Sequence, residues 1–438
     1  MLNVFLLVLA AILVVVCKRA PAAGCAYLLV LHMLIPPCAR IASISFNTLM
    51  LLIVTLFFVK KVAGNSWRVP SMHLFPVKLL IIPLLILCLF APLPINFQFS
   101  QLFQFFITEV VIFILMMYFI KNEDDLNKVF VSLRFAYVIV GAYGILTYVI
   151  RRNPLFVYFA KHFNYTIDFT GDGTIELVGG MTGRATGNLS GPLPWGQTSL
   201  LMLILFVFFG TVKRDKLSYI VVIVACLNCF LSTKRSVIVP MFVILIYLFV
   251  KRGLLSKRIF LKNLCVPLVL CALWNAPFVD SYKQNIVTAI YFWNDDVAYR
   301  SNVHGSSAEM RQAQLSYALV MVRDNLLCGL GYGYPQYYGK HHGSHSIMLG
   351  FESLVYQVLV PSGIIGLFIW FYFFYKSYRL TLCGGGKKSE ALVCHGAYFL
   401  SCIMTGIQTT FFWYMVMVVL VYKKGTVRNE VIDNNSRL

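Results

Sequence analysis

The chain reads as an all-α, polytopic membrane helix bundle of about 12–13 transmembrane helices with two long extracytoplasmic loops. Hydrophobic residues fill 59% of its 438 positions and charged residues only 12%, about half the roughly 25% of a soluble domain. Apolar stretches recur along the whole length, each near the ~20 residues that cross a bilayer as a helix. Alternating patterning of the barrel kind is absent, so the spans are helices whose backbone groups are satisfied within each segment.

Spans are expected near 2–17, 22–38, 43–64, 77–93, 101–121, 130–150, 196–212, 218–232, 236–251, 259–275, 351–375, 390–408 and 410–422. The first two are short enough to form one re-entrant pair. The opening run, Leu2 to Val16, has no preceding basic residue and no small-residue cleavage site after it. It is therefore expected to be a retained helix rather than a secretory signal. Residues 1–425 form one transmembrane catalytic domain in this reading, with outer loops 151–195 and 276–350, and 426–438 form a polar cytoplasmic tail.

The formal charge of +20 is sorted by side. Of 37 Lys and Arg, 25 fall in 18–22, 60–78, 121–134, 213–216, 251–262, 376–388 and 423–437; the other 12 are spread over more residues. Basic residues packed into short loops mark the cytoplasmic side. The N-terminus is then outside and the C-terminus inside. The basic excess reads as topology and contact with anionic membrane lipids, and a nucleic-acid partner is disfavoured. Ten of the twelve cysteines lie in or beside apolar spans, and no ligand-spaced CxxC pair occurs in a loop. Structural disulfides and zinc are both disfavoured. No repeat of fixed period is present.

The residues able to do chemistry gather in the two outer loops and one outer turn. Arg184 sits between glycines in Gly183-Arg184-Ala185-Thr186-Gly187-Asn188, just before the chain re-enters the membrane. Lys234 and Arg235 occupy a turn facing away from the cytoplasm, where basic residues do not normally collect. They could snorkel toward lipid headgroups, or Arg235 could clamp an anion, its planar fork gripping phosphate oxygens. Arg311 starts an amphipathic outer helix, followed by the glycine turn Gly329-Leu330-Gly331-Tyr332-Gly333 and the tract His341-His342-Gly343-Ser344-His345. That tract matches no metal-ligand spacing, and sugar contact is the better reading. Glu352 opens an apolar span. It could be an N-terminal dipole partner or, partly desolvated, a general base. Glu109 and Arg134 are the conspicuous intramembrane charges.

Taken in order, four stretches resemble the O-antigen polymerase and ligase superfamily, with its Wzy-type polymerases. They are Arg184-Ala185-Thr186-Gly187 before Gly191-Pro192, and the turn Leu231-Ser232-Thr233-Lys234-Arg235. Arg311 with Asp324-Asn325 and the glycine turn is the third; Glu352-Ser353-Leu354-Val355-Tyr356 with Pro361-Ser362-Gly363-Ile364-Ile365-Gly366 is the fourth. The likeness covers about residues 20–420. Ligase-type relatives carry histidine then asparagine where this chain has Glu352-Ser353, which favours a polymerase.

The resemblance implies a GT-C-like membrane glycosyltransferase of the bacterial inner membrane. It would act on the periplasmic side in lipopolysaccharide or capsule biosynthesis, without cofactor or metal. Its substrate would be an undecaprenyl-diphosphate-linked oligosaccharide, and a chain-length regulator and a flippase are the partners it brings in. Arg235 and Arg311 would neutralise the leaving diphosphate, with Glu352 or His345 as base and inversion at the anomeric carbon. Arg184, Arg300, Tyr332 and His342 would bind substrate. A ligase transferring finished glycan to lipid A-core or protein, and a flippase moving the lipid-linked unit, are the alternatives. A flippase needs charges along a central cavity, whereas this chain concentrates its polar chemistry in the outer loops.

Overall fold

The computed structural model describes residues 2–64, 75–165, 184–209, 216–251, 308–343, 353–406 and 410–435. In chain order these form α1 (Leu2–Arg19), α2 (Pro21–Leu34), a short hairpin of β1 (Arg40–Ile41) and β2 (Ile44–Ser45), α3 (Phe46–Gly64) and α4 (Phe75–Leu87). Next come α5 (Ile95–Phe105), a π-helical turn (Phe106–Val110), α6 (Val111–Phe119), α7 (Glu123–Ile150) and α8 (Pro154–His162). α9 (Pro192–Phe208), α10 (Lys216–Leu231) and α11 (Arg235–Lys251) follow. The remainder is α12 (Ala308–Met321), a 3-10 turn (Arg323–Asn325), α13 (Tyr334–His342), α14 (Leu354–Cys383), α15 (Lys388–Thr405) and α16 (Phe411–Asn435).

Among the described residues, five helical stretches are long and apolar enough to cross a bilayer: Leu2–Arg19, Phe46–Gly64, Ile95–Phe119, Glu123–Ile150 and Leu354–Cys383. Shorter apolar helices run Pro21–Leu34, Pro76–Leu87, Pro192–Phe208 and Leu217–Leu231. The expected spans overlap helices wherever they can be compared, although those near 22–38 and 77–93 run past the ends of α2 at Leu34 and α4 at Leu87; the one near 259–275 lies outside the described residues. The span expected near 101–121 starts earlier, at Ile95, because Pro94 opens a helix that the polar Gln98, Gln101 and Gln104 hide from a hydropathy reading. The outer loop expected over 151–195 contains α8, which Asn153 caps by accepting the Phe156 N–H. The turn before α7, expected on the cytoplasmic side, is capped as the sequence suggests, with the Asn122 side chain accepting from the Asp125 N–H at 2.8 Å.

Helix association in lipid relies on close packing and interhelical hydrogen bonds, because lipid tails are as apolar as the helix surfaces. The α7–α9–α10 contact is built that way. Gly141 and Gly144 of α7 leave room for Val224, Asn228 and Trp195, and any Cβ there would overlap them. Asn228 on α10 accepts from Trp195 Nε1 at 2.9 Å and donates to the Gly141 carbonyl at 2.9 Å. One buried amide therefore fastens three helices. Arg134, one of the two conspicuous intramembrane charges, is buried and donates to Ser218 Oγ at 3.2 Å.

α14 is broken in the middle. Gly363 has φ +65, a conformation that excludes ordinary side chains, and Pro361 precedes it. The break frees backbone groups that the glycine turn then satisfies. Leu330 N–H donates to Val360 O at 2.8 Å and Gly331 N–H to Pro361 O at 3.0 Å. In return Ile364 and Ile365 donate to Leu326 and Leu327. Gly363→Ala would drive a methyl into the Leu327 carbonyl and force a strained φ, for a cost on the order of 1–3 kcal/mol. The expected result is a lowered thermal midpoint and reduced recovery of the folded peak in detergent size-exclusion runs. Ile365→Ala, at a partly exposed position, should change both far less.

Candidate active site

Two of the segments placed outside on charge grounds, the described part of 151–195 and the α10–α11 turn, meet at one end of the bundle. Its centre is the stretch 184–191, which leads into α9. Asn153 organises it: the side-chain amide donates toward Thr186 Oγ1 (3.0 Å), Gly187 O (2.8 Å) and Leu189 O (3.1 Å), and its oxygen accepts from Tyr143 Oη at 2.9 Å. Thr186 N–H reaches Thr147 Oγ1, and Asn188 Nδ2 donates to Met33 O at 2.7 Å. Gly187, at φ +54, lies flat on the Trp195 indole where a Cβ could not fit. Three helix ends, those of α2, α7 and α9, thus hold a short loop rigid.

The same loop is tied to the α10–α11 turn. Ala185 N–H donates to Leu231 O at 2.9 Å, and Gly196 presses against the Ser232 side chain and Val237. Arg184 therefore enters directly beside the turn Ser232-Thr233-Lys234 and the start of α11 at Arg235. Thr233 adopts φ +51, an outlier for a β-branched residue. The N-terminal turn of α11 adds its own partial positive charge. Arg184 is half-buried, and its Nε has no hydrogen-bond partner. Burial alone pushes its pKa below the usual value, yet a guanidinium stays protonated at neutral pH. Enclosed positive charge without a carboxylate partner is costly unless a ligand compensates it. The arrangement suits an anion.

A second group of contacts surrounds the α14 start. Ser353 caps α14, accepting from Val355 N–H, and donates to Ile403 O at 2.7 Å near the end of α15. Gln197 of α9 donates to Ser401 Oγ and Thr405 Oγ1 and accepts from Thr410 Oγ1 at 3.1 Å. The residue following Glu352 is thereby linked through α15 to α9, the helix that the Arg184 loop enters. Gln98, fully buried, donates to Leu93 O at 2.7 Å and accepts the Tyr332 N–H at 3.0 Å, fixing the glycine turn against α5.

The individual expectations divide. Arg184 and the Arg235 turn come together. Arg311 lies on α12, but its side chain is outside the described residues, as are Arg300, His345 and Glu352. Tyr332 turns its half-buried ring toward Phe105, 6.1 Å between centroids. His342 is exposed at the end of α13, its ring 4.9 Å from that of Tyr338. Glu109 accepts the Phe412 N–H at 2.7 Å, a carboxylate at the first turn of α16. Sequence reasoning missed Asn153, Gln197 and Asn228. Their signal was present: each is an amide within or at the mouth of an apolar segment, where an unpaired polar group is costly.

Residues 200–371 match the O-antigen ligase family. The matched stretch runs from α9 through the first part of α14 and includes Arg235, Arg311 and Glu352; Arg184 precedes it. The match covers less than half of the chain and supports a likeness to the O-antigen ligase and polymerase superfamily of polysaccharide biosynthesis. The match does not separate polymerase from ligase. Among curated proteins no sequence matches the chain.

Asn153→Ala removes the donor that holds the Arg184 loop. Trypsin should then cut at Arg184 in folded protein several-fold faster than in wild type, while Asn153→Asp, which keeps the Phe156 acceptor but loses the donors, should resemble Asn153→Ala. Equal cleavage of all three proteins would show that the loop is held by something else.

Proposed function

We propose that the chain polymerises undecaprenyl-diphosphate-linked oligosaccharide repeat units, as in O-antigen or capsule assembly, at the outer face of the bacterial inner membrane. The supporting observation is the Ala185–Leu231 hydrogen bond, which brings the backbone next to half-buried Arg184, whose Nε has no partner, to the turn that leads into Arg235 and the α11 N-terminus.

The chemistry follows from that grouping. An acceptor hydroxyl of one repeat unit attacks the anomeric carbon of a chain held on lipid diphosphate. The new C–O bond forms as the bond to the diphosphate oxygen breaks, and the hydroxyl proton passes to Glu352 or His345. Charge accumulates on the leaving diphosphate. Fixed guanidinium groups placed where that charge develops lower the barrier without reorganisation, and removing one such donor from an enzyme typically costs about 100- to 1000-fold in rate. Arg235 and Arg311 take that role, with Arg184 at the diphosphate and Arg300, Tyr332 and His342 toward the glycan. Attack opposite the leaving group gives inversion, and the arginines replace a metal. A flippase and a chain-length regulator would supply units and set polymer length.

A ligase transferring finished glycan to lipid A-core or protein is the second reading, favoured by the description of the matched family. Glu352-Ser353 in place of histidine-asparagine argues for the polymerase.

Cells lacking the chain should accumulate glycans one repeat unit long; long, unattached polymer would indicate a lost ligase. Complementation with Arg235→Ala, Arg311→Ala or Glu352→Ala should leave single lipid-linked units intact and remove long polymer. Long polymer of wild-type abundance from all three would remove these residues from the mechanism.

A further inference from the structure

Two hydroxyls next to the Arg235 turn stand apart from their neighbours. Ser232 donates to Cys229 O at 2.7 Å, Thr198 to Pro194 O at 2.9 Å, Thr147 to Gly144 O at 2.7 Å and Thr405 to Ser401 O at 3.0 Å. These are the usual ways a hydroxyl in or beside a helix is satisfied by local backbone. Thr233 and Ser236 do neither. They are 7% and 2% exposed, and neither oxygen has a hydrogen-bond partner. Among the described serines and threonines, Ser199, beside the Tyr137 phenol, is the one other with a buried oxygen lacking a partner.

Their positions are informative. Ser236 is the second residue of α11, in the first turn, where N–H groups have no intrahelical acceptor. Thr233 lies just before that helix, in the left-handed conformation that glycine adopts without strain. The unpaired Nε of Arg184 lies in the segment hydrogen-bonded to this turn. Buried polar atoms are nearly always paired, and unpaired donors in and beside the first turn of a helix suit a ligand rich in acceptors.

We propose that Thr233 Oγ1, Ser236 Oγ and the Ser236 N–H, together with the Arg184 guanidinium, form a cradle for one phosphate group. The ligand is a phosphate ester or diphosphate anion, and Thr233 keeps its strained backbone because its hydroxyl is needed there. The cradle rests on the reading of this end of the bundle as a lipid-diphosphate site, and adds to the arginines a set of neutral donors that fix how one phosphate is oriented.

Thr233→Gly separates structure from binding. It relieves the positive φ, so the thermal midpoint should hold or rise, while affinity for an anion should fall. The probes are farnesyl diphosphate and inorganic pyrophosphate, titrated calorimetrically into full-length protein in nanodiscs. Thr233→Gly and Ser236→Ala should each weaken farnesyl diphosphate binding about tenfold, equivalent to about 1.4 kcal/mol, and Thr233→Ser should restore most of it. Pyrophosphate competing as well as farnesyl diphosphate would assign the cradle to the anion alone; much weaker competition would assign it to the prenyl-linked form. Both support the cradle. Unchanged affinity in Thr233→Gly and Ser236→Ala, with wild type binding normally, would overturn the cradle and leave the lipid-diphosphate reading standing. Wild-type protein that binds neither probe would overturn both.

Discussion

A half-buried arginine, its Nε unpartnered and with no counter-charge among the described residues, is the constraint around which one end of this bundle is organised. Left alone, the Arg184 loop would swing its charge into water and gain hydration. It is prevented from doing so by Met33, Thr147 and Asn153, which fasten the loop to α2, α7 and the start of α8, and by the Ala185–Leu231 bond, which fastens it to the α10–α11 turn. Preorganisation of this kind is what electrostatic catalysis requires: charge held in advance where negative charge will develop.

The scaffold beneath is built to be rigid. Asn228 joins α7, α9 and α10 through a single amide, and Gly141, Gly144, Gly187 and Gly196 let backbone and aromatic rings approach closely. On the other side, the break in α14 at Gly363 and the glycine turn at 329–333 satisfy each other's backbone. The two motifs are separated by some thirty residues in the chain, yet neither has a complete set of hydrogen bonds alone. Gln197, with partners on α15 and beside α16, connects the two halves. Contacts that join segments far apart in the chain explain why isolated motifs in the sequence each carry little information.

The helices were legible because burial in lipid demands long apolar runs, and the cap of α7 because Asn122 precedes three acids. Arg184 and Arg235 were legible as candidates because arginine is out of place in glycine-rich or outward turns of an apolar chain. The early start of α5 was obscured by glutamines, whose partners, Leu93 and Tyr332 among them, lie in other segments. The partner of Arg134 was hidden for the same reason, since Ser218 lies on another helix. Thr233 gave no sign, since a positive φ at threonine has no sequence signature. In each case the missing information was tertiary.

The central claim is that this end of the bundle joins repeat units by displacing lipid diphosphate. Its most direct test is the purified chain in proteoliposomes with one substrate, a prenyl-diphosphate-linked repeat unit, in the presence of EDTA. The account expects a ladder of longer glycans with stoichiometric release of prenyl diphosphate. No ladder until a lipid A-core acceptor is added, and then a single transfer per acceptor, would contradict polymerisation and make the protein a ligase.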